Sequence, residues 1–226
     1  MAACRPNRRT GAFIVDRWRT RKAPWSASRA WRYLADERDL PPAILVAARR
    51  LDLLREGPRG SIWAAHQDDA GAVTGWEERG PEWRGFSTGG AKVLFRFGPA
   101  EALRICVTEA AIDAMSLGAL EHGRHDSIYV STGGGWSPAT DTAIRLLAAR
   151  PGALLIAATD NNPQGERYAD RLQAAVDDAD CGFERLRPRE DDWNAELKAR
   201  LGKEVDGREK KGGESRLPHA RRPRQG

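Results

Sequence analysis

The sequence has few cysteines and no long apolar segment. Its three cysteines lie far apart, and no CxxC or HxxxH spacing occurs; they are Cys4, Cys106 and Cys181. This pattern argues against a zinc site or a disulfide framework and indicates free thiols. No apolar run approaches the roughly 18 residues that span a bilayer, and no apolar signal segment follows the basic N-terminal residues. These absences predict a cytoplasmic protein without a membrane partner.

The composition is that of a globular protein with an excess of positive charge. Hydrophobic residues make up 40% of the chain and charged residues 31%, both near the averages of folded domains. A length of 226 residues allows one full domain and a smaller partner. The net charge of +5 favours a polyanionic partner, because a basic surface attracts nucleic acid over long distances.

Changes in residue composition divide the chain into four segments. Residues 1–26 and 202–226 are basic and have little apolar periodicity, so we expect a flexible arm and a disordered tail. Residues 27–100 predict two helices and a small antiparallel sheet, which together make a small α+β domain. Residues 101–201 alternate apolar strands with helices, as in an α/β domain whose parallel sheet carries helices on both faces.

Within the α+β segment the hydrophobic period changes along the chain. Apolar spacing predicts a helix over residues 28–36 and a second helix from Pro42. Alternation then predicts strands over residues 61–66, 72–79 and 93–97. Residues 80–90 are rich in glycine and predict a loop.

Polar and acidic residues follow the predicted strands of the α/β segment. In chain order the strand ends carry Glu109, a loop with Gly133 and Gly134, Asp160, and Asp192. Ligands of parallel sheets bind beyond the carboxyl ends of the strands, so these residues should share one cleft. Magnesium prefers carboxylate oxygens, with phosphates and waters completing its shell. The sequence therefore predicts a phosphate-handling Mg²⁺ site, for which Mn²⁺ is an alternative ion.

Several of these residues resemble the Toprim family, in the version found in primase-like proteins of plasmids and other mobile elements. The resemblance rests on three motifs: Val107-Thr108-Glu109 followed by Ile112-Asp113-Ala114-Met115-Ser116, Asp160-Asn161-Asn162 at the DxD position, and Asp192-Trp193-Asn194. Tyr33-Leu34, Arg38 and Arg79-Gly80 are similar to the uncharacterised domain that often precedes this Toprim. The resemblance covers about residues 27–200 and implies a Toprim-like parallel sheet behind a small α+β domain.

The resemblance also implies roles for the acidic residues. Glu109 would act as general acid or base, while Asp160 and Asn162, with Glu109 beside them, would hold Mg²⁺. The chain departs from the family pattern at Asn162, which replaces the second acid of DxD and lowers the attraction for a cation. Three outcomes stay open: Asp191 or Asp192 compensates, one metal suffices, or the site is degenerate.

Two further groups of residues have both a structural and a functional interpretation. Gly133 and Gly134 either form a turn that needs positive φ or let a phosphate approach the backbone. Asp113 either favours a helix start or, with Asp192, supports the acidic site from behind.

Basic residues alternate with aromatic residues in the glycine-rich part of the first block. Arg79, Arg84 and Lys92 lie near Trp83 and Phe86 in the sequence. Charge and exposed rings together suit single-stranded nucleic acid, although large aromatic side chains more often belong to a core. These basic residues are therefore candidates for nucleic-acid binding.

These observations favour a Mg²⁺-dependent, primase-like nucleotidyltransferase. We expect it to use nucleotides and single-stranded DNA in the replication or transfer of a plasmid or mobile element. A helicase or relaxase is a further expected partner, because the sequence shows no zinc-binding module or helicase of its own. Two alternatives remain open: a Toprim nuclease, and a non-catalytic nucleic-acid-binding module with a degenerate metal site.

Overall fold

A computed structural model describes residues 8–177 and 179–202. The helices are α1 Arg8–Arg19, α2 Arg29–Arg32 with a π-helical turn Tyr33–Glu37, α3 Pro42–Arg50, α4 Ala111–Leu120, α5 Pro138–Ala148, α6 Pro163–Val176 and α7 193–202. The strands are β1 Leu54–Glu56, β2 Ile62–Gln67, β3 Val73–Arg79, β4 Arg84–Phe86, β5 Phe95–Phe97, β6 Arg104–Thr108, β7 Ser127–Ser131, β8 Leu154–Ala157 and β9 Gly182–Arg185. Within the described ranges, no helix is long and apolar enough to cross a membrane.

The second sheet has the parallel α/β architecture that the sequence predicts. Its strand order is β5-β7-β6-β8-β9, in which β6 to β9 are parallel and β5 runs antiparallel to β7. Helix α4 packs on one face of this sheet, and α5 and α6 pack together on the other. Strands covered on both faces need apolar side chains in both directions, and the alternating core positions Ile105, Cys106 and Val107 of β6 meet that need.

The first sheet is antiparallel, with the order β1-β2-β3-β4. Its last strand, β4, lies inside residues 80–90, where the sequence predicts only a loop. A three-residue strand with Gly85 at its centre has too few side chains to show alternation. The predicted strand over residues 93–97 also needs a correction. It forms β5 at the edge of the second sheet, and its neighbour Leu94 bridges back to Gln67 of the first. Alternation identifies a strand but not its partner.

Part of the flexible arm that the sequence predicts over residues 1–26 is helical, since α1 spans Arg8–Arg19, and for these residues the expectation is corrected. Ile14 and Trp18 of α1 are buried against Trp63 and Trp76 of the first sheet. The Trp63 and Trp76 rings stack with centroids 4.2 Å apart, and the Arg17 guanidinium lies 5.6 Å from the Trp63 ring. The apolar residues 12–15 of this helix are consecutive, so they show no helical period, and the sequence alone did not indicate this packing.

The predicted tail over residues 202–226 and Cys4 lie outside the described residues, apart from residue 202 at the end of α7. Cys106 and Cys181, which are described, are free thiols as expected.

Candidate functional site

The strand order of the second sheet creates a crevice between β6 and β8. The chain runs from β6 to β7 on one side and then crosses to β8 on the other, and ligands bind at such a reversal, outside the carboxyl ends of the strands. Glu109 directly follows β6, and Asp160 lies shortly after β8. A cleft of about 880 Å³ opens at this position.

Side chains of both charges line this cleft. The acidic ones are Glu77, Glu109, Asp113, Asp160 and Asp192, and the basic ones are Arg38, Arg79, Arg84, Lys92 and Arg167. Asn162, Gly133 and Gly134 also line it. The structure therefore brings together the acidic, basic and glycine candidates of the sequence analysis, except Asp191, which is exposed and does not line the cleft.

Glu109 is held in a defined orientation inside the cleft. The side chain is only 7% exposed. The backbone N–H of Asp160 donates to Glu109 Oε1 at 3.4 Å, and Gln164 Nε2 donates to Glu109 Oε2 at 3.2 Å. Burial raises the pKa of the Glu109 carboxyl, an effect that these two hydrogen bonds and the nearby arginines oppose. A carboxyl of this kind suits proton transfer.

Asp160 has an oxygen without a partner. Its Oδ1 atom is buried and makes no hydrogen bond within the described part of the chain. Burial raises the pKa of the Asp160 carboxyl to about 7, and the negative charges of Glu109 and Asp192 add to the effect. A buried acceptor is usually satisfied, so this free oxygen suits a cation as its partner.

Asp113 and Asp192 complete the acidic cluster from behind. Burial raises the pKa of Asp113 well above its usual range, and Asp192 and Asp160 reinforce the shift. The backbone N–H of Asn194 donates to Asp113 Oδ1 at 3.3 Å. Asp192 Oδ1 accepts from the Ala195 N–H at 2.7 Å and so caps α7.

Asn162 lines the cleft, and its side chain caps helix α6. Its side chain is exposed, and its Oδ1 accepts the backbone N–H groups of Gln164 and Gly165, each at 2.9 Å, at the start of α6. The amide oxygen is therefore engaged in capping the helix. Aspartate caps helices as well as asparagine does, so capping alone does not explain the neutral residue here.

The glycine loop has the turn conformation that the sequence suggested. Gly133 and Gly134 have φ values of 68° and 67°, and Gly134 N–H donates to the Glu109 carbonyl at 2.7 Å. A Cβ on Gly133 would lie 2.9 Å from the ring of the buried His66. Burial lowers the pKa of that histidine to about 3, helped by the charge of Lys92, so the ring under the loop is neutral. Phosphate binding by this loop remains a prediction.

The basic and aromatic residues that the sequence analysis singled out in the first block lie in the cleft or next to it. Arg79 and Arg84 are partners across β3 and β4, and Lys92 Nζ donates to the Gly133 carbonyl at 3.0 Å and lies 5.2 Å from the Phe86 ring. Phe86 lines the cleft. Trp83 is 62% exposed. One block of sequence thus provides one wall of the cleft and an exposed ring next to it.

The sequence analysis missed three side chains that contribute to the cleft. Glu77 is buried, pairs with Arg79, and accepts the Ala111 N–H at 3.1 Å at the start of α4. Its position two residues before Arg79, on the same face of β3, was a usable signal. Gln164 and Arg167 come from the first turns of α6, where polar residues are usual, so the sequence offered no distinguishing signal.

The acidic cluster can also be compared with the needs of a metal ion. Within residues 8–177 and 179–202, no three side chains of Asp, Glu, His or Cys are grouped as a metal site. Magnesium at phosphate-handling sites takes only one or two carboxylates from the protein, and waters and phosphates provide its other ligands. Asp160 with its free oxygen, next to Glu109, fits this smaller set.

Two protein-family models match the chain. Residues 32–102 match a family of unknown function, DUF3991, and residues 106–197 match the Toprim-like family. A comparison with curated proteins found no match.

Solved primase structures have a similar fold. The zinc-binding and RNA polymerase domains of the Aquifex aeolicus primase align with 16% identity and a TM-score of 0.56 over 88% of this chain and 60% of that one. A DNA primase domain from Pseudomonas aeruginosa aligns with 18% identity and a TM-score of 0.53 over 84% and 74%. The DnaG catalytic core aligns with 16% identity and a TM-score of 0.53 over 90% and 78%. Identities this low show the fold alone. The two family matches identify the chain as a Toprim-like protein with a DUF3991 domain ahead of its Toprim-like domain.

Proposed function

We propose that this chain is a primase-like protein that carries out metal-dependent nucleotidyl transfer on DNA. The observation that carries the proposal is the cleft at the carboxyl ends of β6 and β8, which a crowded acidic cluster and several basic side chains line together. The Toprim-like family match and the shared fold with primases support this assignment. Low-identity neighbours do not establish an activity, so the proposal depends on the site.

Asp160 is the residue that we assign to the metal ion. Its buried Oδ1 lacks a partner, and the surrounding carboxylates create a negative potential that a divalent cation would relieve. Glu109 lies beside it, and either Mg²⁺ or Mn²⁺ suits such oxygen ligands. When bound, the ion would supply positive charge to phosphate oxygens.

Glu109 is the residue that we assign to proton transfer. Gln164 and the Asp160 backbone N–H hold its two oxygens, so the carboxyl keeps one orientation. Burial destabilises the charged form of the Glu109 carboxyl and so raises its pKa towards neutral pH. Glu109 can therefore accept the proton of an attacking hydroxyl or return one to a leaving oxygen.

The basic wall is the part of the cleft that we assign to phosphates. It consists of Arg84, Lys92 and Arg167, which line the same cleft as the acidic cluster, and cations of this kind bind the phosphates of DNA and nucleotides. The structure of the Mycobacterium tuberculosis primase RNA polymerase domain, with a TM-score of 0.50, was determined with a double-stranded DNA oligomer that has a 6-nucleotide overhang. For this chain we propose single-stranded DNA and nucleotides as substrates.

The biological setting that we propose comes from the resemblance to primase-like proteins of mobile elements. In this setting the chain would act in the replication or transfer of a plasmid or related element. A helicase or relaxase would bring it to single-stranded DNA.

A primer-synthesis assay tests the proposed function. The full chain is incubated with single-stranded DNA, nucleotides and Mg²⁺ or Mn²⁺, and Glu109→Gln and Asp160→Asn are compared with the wild type. We expect products that require the metal and are lost in both variants. Glu101→Gln and Asp170→Asn, which alter exposed acids outside the cleft, should keep the activity.

Other results of the same assay select the alternatives. DNA that becomes shorter with the wild type, but not with Glu109→Gln or Asp160→Asn, would assign a nuclease. Metal-independent DNA binding without any product would contradict both enzymatic functions and leave a binding module.

A further inference from the structure

A second pocket lies behind the β3–β4 hairpin, on the face that points away from the cleft. It has a volume of about 530 Å³, and its lining includes Arg59, Ser61, Glu78, Gly80, Glu82 and Trp83. Successive residues of a strand point to opposite faces. Arg79 and Arg84 therefore line the cleft while Glu78 and Trp83 line this pocket. The edge strand β4 separates the two.

Trp83 is the most exposed large apolar side chain in the described part of the chain, at 62%. Its ring lies against the backbone of Gly85, where an added Cβ would meet ring atoms at 3.1 to 3.3 Å. A larger residue at position 85 would therefore displace the ring. The indole is supported from one side while most of its surface remains open to solvent, which is the arrangement that a stacking platform requires.

We infer that Trp83 stacks on an unpaired base of a DNA strand that leaves the cleft across β4. This inference rests on the proposed function, since it needs a DNA strand in the cleft. Arg84, the next residue, is exposed at the cleft wall, where it can bind the strand's phosphates. A strand held at Arg84 has its neighbouring base close to Trp83, and base–aromatic stacking tolerates any base sequence.

The charge of the second pocket favours a base over a phosphate as its occupant. Glu78 and Glu82 line the pocket, and Glu78 Oε1 accepts the Ser61 hydroxyl at 2.6 Å. These carboxylates repel phosphate but can accept hydrogen bonds from the amino groups of a base. Arg59, exposed on the far side with φ 57°, can bind the phosphate that follows the stacked base. The strand would thus have its phosphates outside the pocket and one base inside it.

Binding of fluorescein-labelled single-stranded DNA to the full chain, followed by anisotropy at fixed salt, tests the inference. We expect Trp83→Ala to weaken binding roughly 5- to 100-fold, which is the usual range for losing one stacked base. Trp83→Phe keeps a ring and should stay within about threefold of the wild type. Trp25→Ala is the matched control, because Trp25 is 54% exposed and lies outside both pockets. Circular dichroism of each variant checks that it is folded.

A scan with abasic oligonucleotides assigns the effect to a base. One nucleotide at a time is replaced by an abasic residue, and the wild type should lose affinity at one or two adjacent positions. Trp83→Ala should no longer respond to the abasic residue there. Equal sensitivity of Trp83→Ala and the wild type to the scan would overturn the inference.

The remaining outcomes separate this inference from the proposed function. If Arg84→Ala weakens DNA binding while Trp83→Ala does not, the cleft keeps its proposed role and the stacking platform is wrong. If the wild type does not bind single-stranded DNA, the proposed function and the inference both fail.

Discussion

Asp160 and its neighbours show how a few residues create the chemistry of the cleft. The Asp160 carboxyl has one buried, unpartnered oxygen and has Glu109 and Asp192 as charged neighbours. Sequence analysis found these residues because the carboxyl ends of parallel strands meet at one edge of a sheet. It did not find Glu77, which reaches the cleft from the antiparallel sheet and contacts α4 only in the folded chain.

The metal-free protein should lose stability as the pH rises, because of Asp160. The pKa of this carboxyl is about 7 in the folded state, above its usual value of 3.8. Between these two values the unfolded chain releases the proton while the folded chain retains it, so the free energy of unfolding falls as the pH rises. Thermal unfolding in the presence of a chelator should show a larger decrease between pH 5 and 7.5 for the wild type than for Asp160→Asn. Equal decreases in the two proteins would contradict the raised pKa that we attribute to burial and to the charges of Glu109 and Asp192.

At the scale of elements, the helix starts are better determined by the sequence than the sheet partners. Ser28 caps α2, and Ser137 caps α5 in a capping box with Thr140, so residues adjacent in the sequence decide where these helices begin. The partner of β5 and the helical state of α1 depend on contacts distant in the sequence. Local patterns cannot report such contacts, which is why both needed correction.

Asn162 at the start of α6 gives a prediction at this scale. Asn162→Ala removes an acceptor for two backbone N–H groups and should cost about 1 kcal/mol, which lowers the thermal midpoint by about 2–4 °C. Asn162→Asp keeps the cap and adds a negative charge near the cluster, so it should retain stability at high salt and bind Mn²⁺ more tightly. An unchanged Mn²⁺ affinity would show that position 162 does not act on the ion.

At the scale of the whole molecule, the segments 27–100 and 101–201 share a hydrophobic core and a hydrogen bond. Strand β5 comes before residue 100 but completes the second sheet, and Asn194 of α7 donates to the Arg38 carbonyl at 2.7 Å. The division into domains at residues 100 and 101 remains a proposal about the sequence, and the packing indicates that both parts unfold together.

Urea denaturation of the full chain tests this coupling. Tryptophan fluorescence and far-UV circular dichroism should report one transition with the same midpoint. Phe95→Ala, at a buried position of β5, should lower the free energy of unfolding by about 3–5 kcal/mol in both signals. Leu103→Ala, at a position that is 43% exposed, should change it by no more than about 0.5 kcal/mol. Two separate transitions would mean that the segments fold independently.

The central claim is that the acidic cleft holds a divalent cation through Asp160, and metal titration tests it most directly. Calorimetric titration of the full chain with Mn²⁺ at pH 7.5 should show a binding site in the wild type. The site should be lost in Asp160→Asn and kept in Asp170→Asn, which removes an exposed acid of α6. Identical titrations of the wild type and Asp160→Asn would contradict the account.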